Sequence, residues 1–318
     1  MERDQLSQVF DLIEVRGVLS GGFAARGPWV SRGELGTTFK FFALVSGRAR
    51  LTTDGLDAPI ELEPGDVAVL NNRSWLELEG GTDTGTDTGT GGGPRREIRP
   101  EEDAPSIDLA GVDFDTDDVL VGGRVDLDPA GRMLLAQALP PVGHIRGSVR
   151  EAAGLRATVH RLFDEVSGGR IGAEFAIRQH VQLLVLEMVR AYVGQAELPP
   201  GWLRVLTDER LRPAVGLMHA DPARAWHLDE LARAAAMSRT SFAERFRAVA
   251  GVPPLTYLTR WRMLVAQQTL RDQDVSVGAL ASKLGYTSES AFSTAFKRQV
   301  GQSPLRYRQG QRLRSGAA

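Results

Sequence analysis

One pattern of residues occurs twice in the C-terminal third of the chain. The segments FAERFRAVAGVPPLTY, residues 242–257, and FSTAFKRQVGQSPLRY, residues 292–307, share Phe, Phe, Gly, Pro, Leu and Tyr at the same spacing. Most residues between these matches differ. A duplicated pattern predicts one structural unit that is built twice. We interpret the shared residues as core and stop signals, and the variable residues as two exposed faces with different chemistry.

Each copy predicts two short helices joined by a tight turn. In the first copy, an apolar stripe over residues 228–235 is followed by Ser238, a good N-cap for the next helix. Gly251 and the prolines after it predict where that helix ends. The second copy repeats the order, with Ser276 as the N-cap of its first helix. Both copies therefore predict a helix-turn-helix unit.

The segment between the copies predicts a stiff connection. Residues 254–271 carry no helix-breaking residue after the first position. A single helix of this length would be roughly 27 Å long at about 1.5 Å per residue. Major grooves on one side of B-DNA recur about every 34 Å. Such a helix can hold two recognition helices in adjacent major grooves.

The charge of the chain is divided unevenly. The 318 residues have a net charge of −2, but from Leu211 onward 16 Lys and Arg stand against 7 Asp and Glu, which gives +9. The remainder has 22 basic and 33 acidic residues, which gives −11. A basic C-terminal part predicts nucleic-acid binding, whereas the alternative is a solvated basic surface.

The variable residues fall on one side of the second helix of each unit. With the Phe pairs turned inward, a rotation of 100° per residue turns the intervening polar residues outward. The outward residues are Thr240, Glu244 and Arg247, flanked by Ala243, in the first copy, and Ser290, Thr294 and Lys297, flanked by Ser293, in the second.

The first 130 residues predict β structure. Short apolar and β-branched runs alternate with turn signals, among them Pro64-Gly65-Asp66, and the Gly/Thr/Asp-rich residues 80–97 predict a disordered loop. Beyond Pro129 the apolar period becomes helical. The helix over residues 173–193, whose apolar stripe includes Val181 and Met188, is a candidate dimer seam, and the alternative is packing against the barrel or neighbouring helices.

Several classes of protein are disfavoured by composition. The chain has no Cys, which excludes disulfides, thiolate zinc sites and cysteine nucleophiles. Its start lacks the apolar core of a signal peptide, and its longest apolar run is too short to span a bilayer. These features predict a cytoplasmic protein that does not enter a membrane.

The C-terminal part closely resembles the AraC family of transcription regulators. The resemblance covers residues 211–308, including LARAAAMSRTSFAERFRAVAG and LASKLGYTSESAFSTAFKRQVG. It implies that double-stranded DNA is the partner, with RNA polymerase a second partner of an activator. The positions implied to contact bases are Thr240, Ala243, Glu244, Glu289, Ser290, Ser293 and Thr294. The candidates for phosphate contacts are Arg239, Arg247, Lys297 and Arg298.

The first part resembles the cupin-like sensor domain of one branch of that family. The resemblance rests on RGPW (26–29), ALVSGRARL (43–51), LEPGDVAVL (62–70) and LAQALPPVGHIRG (135–147). Metal-binding cupins carry a His cluster on their barrel strands, but all five His of this chain lie beyond the β region. We therefore expect no metal, no cofactor and no catalytic residue. Trp29, Phe41 and Trp75 are candidates to line a small-molecule pocket, the alternative being core aromatics.

Together these features predict a two-domain α+β protein. We expect a cupin-like β-barrel over residues 1–130, a helical dimerisation and linker region over 131–200, and an all-α double helix-turn-helix domain over 205–310. The expected function is sequence-specific transcription regulation by a homodimer whose N-terminal domain senses a small molecule, mediates dimerisation, or does both. The alternatives are a cupin-type enzyme fused to a DNA-binding domain and an architectural DNA-binding protein without an effector.

Overall fold

The structure of the protein is a computed structural model that describes residues 4–36, 39–81, 95–98, 111–195 and 198–315. The predicted loop over residues 80–97 falls mainly on residues 82–94, which lie outside the described residues. The described residues form ten strands: β1 (Val15–Ala25), β2 (Trp29–Glu34), β3 (Phe39–Ser46), β4 (Ala49–Thr53), β5 (Ile60–Leu62), β6 (Val67–Asn71), β7 (Trp75–Gly80), β8 (Arg96–Glu97), β9 (Asp118–Leu127) and β10 (Val142–Ile145).

The described residues also form twelve α-helices. The first five are α1 (Gln5–Leu12), α2 (Pro129–Ala138), α3 (Ala153–Gly168), α4 (Ala173–Gln195) and α5 (Trp202–Thr207). The other seven are α6 (Arg212–Ala220), α7 (Leu228–Ala234), α8 (Arg239–Ala250), α9 (Pro254–Asp272), α10 (Val277–Lys283), α11 (Glu289–Val300) and α12 (Pro304–Ser315).

The strands form two five-stranded sheets. One sheet has the order β1-β9-β3-β6-β10 and the other the order β5-β4-β7-β2-β8. The pairings are antiparallel except for β2 with β8. Two mainly antiparallel sheets around one core are the arrangement of a cupin-like barrel. The structure thus confirms the predicted barrel.

The space between the two sheets is filled by apolar side chains. Because side chains alternate along a strand, each sheet turns one set of residues inward. The inner residues of the first sheet include Phe42, Leu44 and Leu70, and those of the second include Trp29 and Leu51. The indole Nε1 of Trp29 donates to Asp118 Oδ2 at 2.6 Å, which satisfies the one polar atom of that side chain. The barrel interior is therefore a packed core.

The Pro64-Gly65-Asp66 turn lies between β5 and β6 and is held by the Asp66 carboxylate. One oxygen accepts a hydrogen bond from the Gly147 amide at 2.7 Å, and the other lies 2.7 Å from His144 Nε2. Burial raises the pKa of Asp66, but these hydrogen bonds and one from the Glu63 amide outweigh it, so the pKa lies below its ordinary value. His144 is thus the partly buried partner of a buried carboxylate in a structural pair.

The apolar stripe of α4 faces its own domain. Val181 and Met188 are buried, at 0% and 3% exposure. The Gln182 side chain, next to Val181, donates to the Val15 carbonyl of β1 at 2.9 Å. The candidate dimer seam through Val181 and Met188 is therefore wrong. An apolar stripe indicates which face of a helix is covered, but it does not indicate whether the cover belongs to the same chain.

The chain divides into two compact units that differ from the expected bounds. One unit comprises residues 15–128 and 135–197, so α3 and α4 belong to the barrel and do not form a region of their own. The other comprises residues 198–315 together with residues 4–14 and 129–134. The helix α1 therefore belongs to the helical unit, although the expected bounds assigned it to the barrel. None of the described helices is both long enough and apolar enough to cross a bilayer.

Candidate nucleic-acid interface

The first helix-turn-helix unit consists of α7 and α8. The Ser238 side chain caps α8 by accepting a hydrogen bond from the Ser241 amide at 3.2 Å. The helix ends at Gly251, whose φ of 70° is the left-handed conformation that glycine adopts without a Cβ clash. The cap and the stop predicted from the sequence are both present. The turn between the helices holds Ala236 at φ 50°.

The second unit, α10 and α11, repeats these features. Ser276 caps α10 by accepting a hydrogen bond from the Ala279 amide at 3.2 Å, as predicted. Ser288 caps α11 in the same way, with the Ala291 amide at 3.1 Å. Gly301 ends α11 at φ 84°. The same local chemistry therefore sets the start and end of both second helices.

Three repeated aromatic residues form the same cluster in each unit. In the first unit, the ring centroids of Phe242 and Phe246 are 5.6 Å apart, and those of Phe246 and Tyr257 are 5.5 Å apart. In the second unit, the Phe292–Phe296 and Phe296–Tyr307 distances are both 5.7 Å. All four Phe side chains are 0% exposed. These clusters hold α8 and α11 against the helix that follows each of them.

One pair of repeated residues does not fit the interpretation that the shared positions are core and stop signals. Leu255 and Leu305 occupy equivalent places just after the proline that begins α9 and α12, and they are 47% and 57% exposed. Their repetition therefore has no packing explanation inside the helical unit.

The helix α9 connects the two units and contributes to the core of the second. It is 19 residues long and extends one residue beyond the single helix predicted over residues 254–271. Met263, Ala266 and Leu270 lie in one apolar cluster with Phe292 and Phe296 of α11. Because α9 is packed along its length, it cannot bend freely between the two units. The structure confirms the predicted helical linker.

Every predicted DNA-contacting residue lies at the surface of α8 or α11. Exposed residues are Arg239, Thr240, Glu244, Arg247, Glu289, Ser290, Thr294, Lys297 and Arg298, whereas Ala243 and Ser293 are partly buried. Arg239 Nε lies 3.8 Å from a carboxylate oxygen of Asp229, a long and exposed ion pair. Exposed pairs of this kind contribute little to stability, so the Arg239 guanidinium can exchange this partner for a phosphate.

A buried histidine lies beneath α9, on the side where the N-terminal helix packs. The ring of His219 stacks on Trp261 at 3.5 Å. Its Nδ1 donates to Gln8 Oε1 at 3.2 Å, so in the neutral ring Nε2 accepts from the Tyr257 hydroxyl at 2.9 Å. Burial lowers the pKa of His219 from 6.5 to about 3 and raises that of Tyr257. Both groups are therefore uncharged near neutral pH.

We expect the helical unit to become less stable as the pH is lowered, because of His219. Its pKa is lower in the folded state than in the unfolded state, so the unfolded state binds more protons and stability is lost as pH falls from 6.5 toward 3. Between about pH 7.5 and pH 5.0 this group should reduce the unfolding free energy by about 2 kcal/mol. Urea titrations of the full chain at both pH values measure the loss.

The matched comparison uses two variants. His219→Gln removes the titrating group, so its loss between the two pH values should be smaller than that of the wild type by about 2 kcal/mol. His160→Gln alters an exposed histidine on α3 and should leave the wild-type pH dependence unchanged. An equal pH dependence in His219→Gln and wild type would show that His219 is not buried and neutral as described.

The N-terminal helix α1 completes the surface around His219. Val9 and Leu12 of α1 are 3% and 7% exposed. Gln268 of α9 donates to the Asp11 carbonyl at 3.1 Å, and Gln5 donates to the Arg212 carbonyl at 2.9 Å. The sequence gives no indication of this packing, because eight amphipathic residues do not specify which partner covers them.

The predicted ligand residues do not form one pocket. Trp29 lies in the barrel core with its indole bonded, and Trp75 is 40% exposed on β7. Phe41 lies on the opposite face of its sheet from Phe42, because neighbouring residues of a strand point to opposite faces. Phe41 lines a small apolar cavity of about 10 Å³. The residues around this cavity are Phe39, Lys40, Phe41, Val69, Val125, Leu135, Leu139, Val185 and Met188.

Comparison with known proteins assigns both parts of the chain. Residues 4–194 match the cupin family and residues 231–310 match a helix-turn-helix domain family. An AraC-like transcription regulator of Streptomyces lividans is 34% identical over 96% of this chain and 98% of its own length. One of Streptomyces antibioticus is 32% identical over the same shares. The DNA-binding domain of the global transcriptional factor AdpA, solved with a target DNA, is 34% identical over 35% of this chain and 100% of that domain, with a TM-score of 0.33.

Proposed function

The chain belongs to the AraC family of DNA-binding transcription regulators, and we propose that α8 and α11 enter adjacent major grooves of one DNA duplex. The observation that carries the proposal is the duplicated aromatic cluster, which holds two helices with exposed polar faces. A helix-turn-helix unit presents its second helix to the groove. Two such helices on one stiff linker fit two successive grooves.

The chemistry of the two faces supports a specific mode of sequence recognition. The base-contact candidates are Thr, Ser, Glu and Ala, and Arg, Asn and Gln do not occur among them. We infer that Glu244 and Glu289 accept hydrogen bonds from cytosine N4, and that Thr240 and Thr294 contact bases through their hydroxyl and methyl groups. The four basic residues at Arg239, Arg247, Lys297 and Arg298 are proposed to contact phosphates, which positions the helices.

Binding-site selection from random DNA tests these assignments. The variant carries Ala at Thr240, Glu244, Ser290 and Thr294, and it should select a different or weaker consensus while its melting temperature stays close to that of the wild type. The control carries Ala at Thr207 and Glu209, two exposed residues outside both helix-turn-helix units, and it should select the wild-type consensus. An unchanged consensus in the fourfold variant would show that these faces of α8 and α11 do not read bases in the grooves. A wild type without sequence preference would favour an architectural role.

We infer that the N-terminal domain senses an apolar small molecule at the cavity beside Phe41. The core between the two sheets is filled by apolar side chains, and the layer between the first sheet and α4 contains the cavity beside Phe41. At about 10 Å³ the cavity holds roughly one water, so a ligand has to widen it and displace α4. Such a ligand changes the activity of the protein only to the extent that it binds the conformation with α4 displaced and the conformation with α4 in place with different affinities. A compound that stabilises the wild type should fail to stabilise Val185→Leu, which fills the cavity.

The relatives are named as regulators, and we infer that this chain also regulates without catalysing a reaction. Among the described residues there is no group of three His, Asp or Glu side chains that can hold a metal ion. We propose that it acts in the cytoplasm and that RNA polymerase is a partner where it activates.

We also propose a homodimer. Phe175 and Leu183 of α4 are 62% and 36% exposed and are candidates for its contact, in place of the buried stripe. The mass in solution of a Phe175→Glu/Leu183→Glu variant tests this, and we expect a monomer. A dimer that persists in this variant would show that the dimer contact does not involve these residues.

A further inference from the structure

The six residues before the first helix-turn-helix unit, 221–226, form a compact turn that we call the junction segment. The Arg224 amide donates to Asp221 Oδ1 at 3.2 Å, and the Trp226 indole donates to the Asp221 carbonyl at 2.9 Å. The Arg224 guanidinium lies 4.1 Å from the Trp226 ring centroid. Trp226 is 7% exposed. The segment therefore has one fixed shape, and α7 begins two residues after it.

The linker helix α9 holds the junction segment through one side chain. Arg262 Nε donates to the Pro222 carbonyl at 2.5 Å, and its Nη2 donates to the Arg224 carbonyl at 2.9 Å. The same guanidinium lies 5.8 Å from the ring centroid of Tyr286, in the turn of the second unit. Two different nitrogens of the planar guanidinium fork bond the two carbonyls. A lysine carries its three donors on a single nitrogen and cannot reproduce this geometry.

The junction segment also touches the second unit directly. Gly285 lies in the turn between α10 and α11, at φ 75°. A Cβ at Gly285 would meet the Ala223 carbonyl oxygen at 2.0 Å, well inside van der Waals contact. The backbone of the junction segment therefore packs against the backbone of the turn between α10 and α11. Only glycine allows this approach without movement.

We propose that this junction, formed by residues 221–226 with Arg262 and Gly285, fixes the distance and rotation between α8 and α11 and thereby the half-site spacing that the protein accepts. The proposal rests on the proposed function, in which both helices contact DNA. The linker helix packs against both units, and the junction adds a second, direct connection between them. Two connections prevent rotation about the linker axis, so Arg262 and Gly285 are positioning residues.

The experiment measures spacing preference in the full chain. The wild-type consensus from selection is rebuilt as a series of duplexes with one base pair inserted or removed between the half-sites. One base pair moves a half-site by about 3.4 Å and rotates it by about 35°. We expect the wild type to bind each altered duplex at least about tenfold more weakly, comparable to one unfavourable base pair.

Two variants and two controls separate the junction from general damage. Gly285→Ala introduces the clash with Ala223, whereas Gly301→Ala introduces the same left-handed strain, at φ 84°, with nothing within 4 Å of its Cβ. Arg262→Lys removes the fork, and Arg260→Lys makes the same change at an exposed position on the same helix. Melting of each variant confirms that it is folded.

We expect Gly285→Ala and Arg262→Lys to shift the preferred spacing or to reduce its discrimination to less than about threefold, while both controls keep the wild-type preference. If Gly285→Ala does not fold, Arg262→Lys decides. A wild-type preference that persists in every folded junction variant overturns this proposal and leaves the proposed function intact. A wild type with no spacing preference overturns the two-groove function, and the junction proposal with it.

Discussion

Raising the salt concentration from about 50 to about 200 mM is expected to weaken binding of the full chain to its selected DNA by about 10²- to 10⁵-fold. The reason is the release of counterions when basic side chains neutralise phosphates. The C-terminal part carries an excess of +9 from Leu211 onward. If it neutralises about 5–9 phosphates, the log–log slope of affinity against salt has a magnitude of roughly 4–8, at ~0.9 per contact.

Single substitutions distribute this slope among the residues. Changing Arg247, Lys297 or Arg298 to Ala should each reduce the magnitude of the slope by about 1 and weaken binding to all sequences alike. Arg50→Ala removes an exposed arginine from the barrel, where it pairs with Glu61, and should leave the slope unchanged. Filter-binding or fluorescence titrations over several salt concentrations give the slopes. A wild-type slope near zero would exclude phosphate contacts as the basis of binding.

Phe246→Ala and Phe296→Ala are each expected to reduce the unfolding free energy of the helical unit by about 3–5 kcal/mol. Both side chains are completely buried, and each lies between another Phe and a Tyr in its cluster. Truncation to Ala removes apolar contacts and leaves a cavity that the flanking helices cannot close. Urea titrations of the full chain measure the loss.

The controls for these truncations are their exposed neighbours. Arg247→Ala and Lys297→Ala alter the next residue in each helix and should change stability by less than about 0.5 kcal/mol, because both side chains are exposed. They therefore separate the core role of the repeated residues from the DNA-contacting role of the variable ones. A loss below about 1 kcal/mol in both Phe variants would mean that the aromatic clusters do not support the two units.

The helix-turn-helix units were predictable because their signals are local. Ser238 and Ser276 cap the nearest amides, Gly251 stops its own helix, and the spacing of the Phe pairs fixes which side of α8 and α11 is inward. Each of these signals acts within one or two helical turns. The duplication then confirmed each signal with a second copy in the same chain.

The parts that depend on distant residues were not predictable. The pairing of β1 with β9 joins Val15 to Leu127, and no local signal specifies it. The apolar stripe of α4 correctly predicts which face of the helix is buried, but it does not predict that residues of the same chain bury it. The contact between Ala223 and Gly285 depends on backbone proximity between two units, so the sequence shows only a glycine in a turn.

The packing of α1 has a consequence for how such regulators can be recombined. A chimera made by one exchange near residue 198 would join these DNA-binding helices to the first helix of another protein. The foreign helix would then have to supply equivalents of Gln8, Val9 and Leu12 against His219 and α9. In such an exchange, residues 4–14 therefore have to stay with the C-terminal helices and not with the barrel that follows them in the sequence. An exchange of the N-terminal domain therefore needs two crossover points, one after residue 14 and one before residue 198. The incoming domain also has to carry a matching segment at residues 129–134, which belong to the helical unit as well.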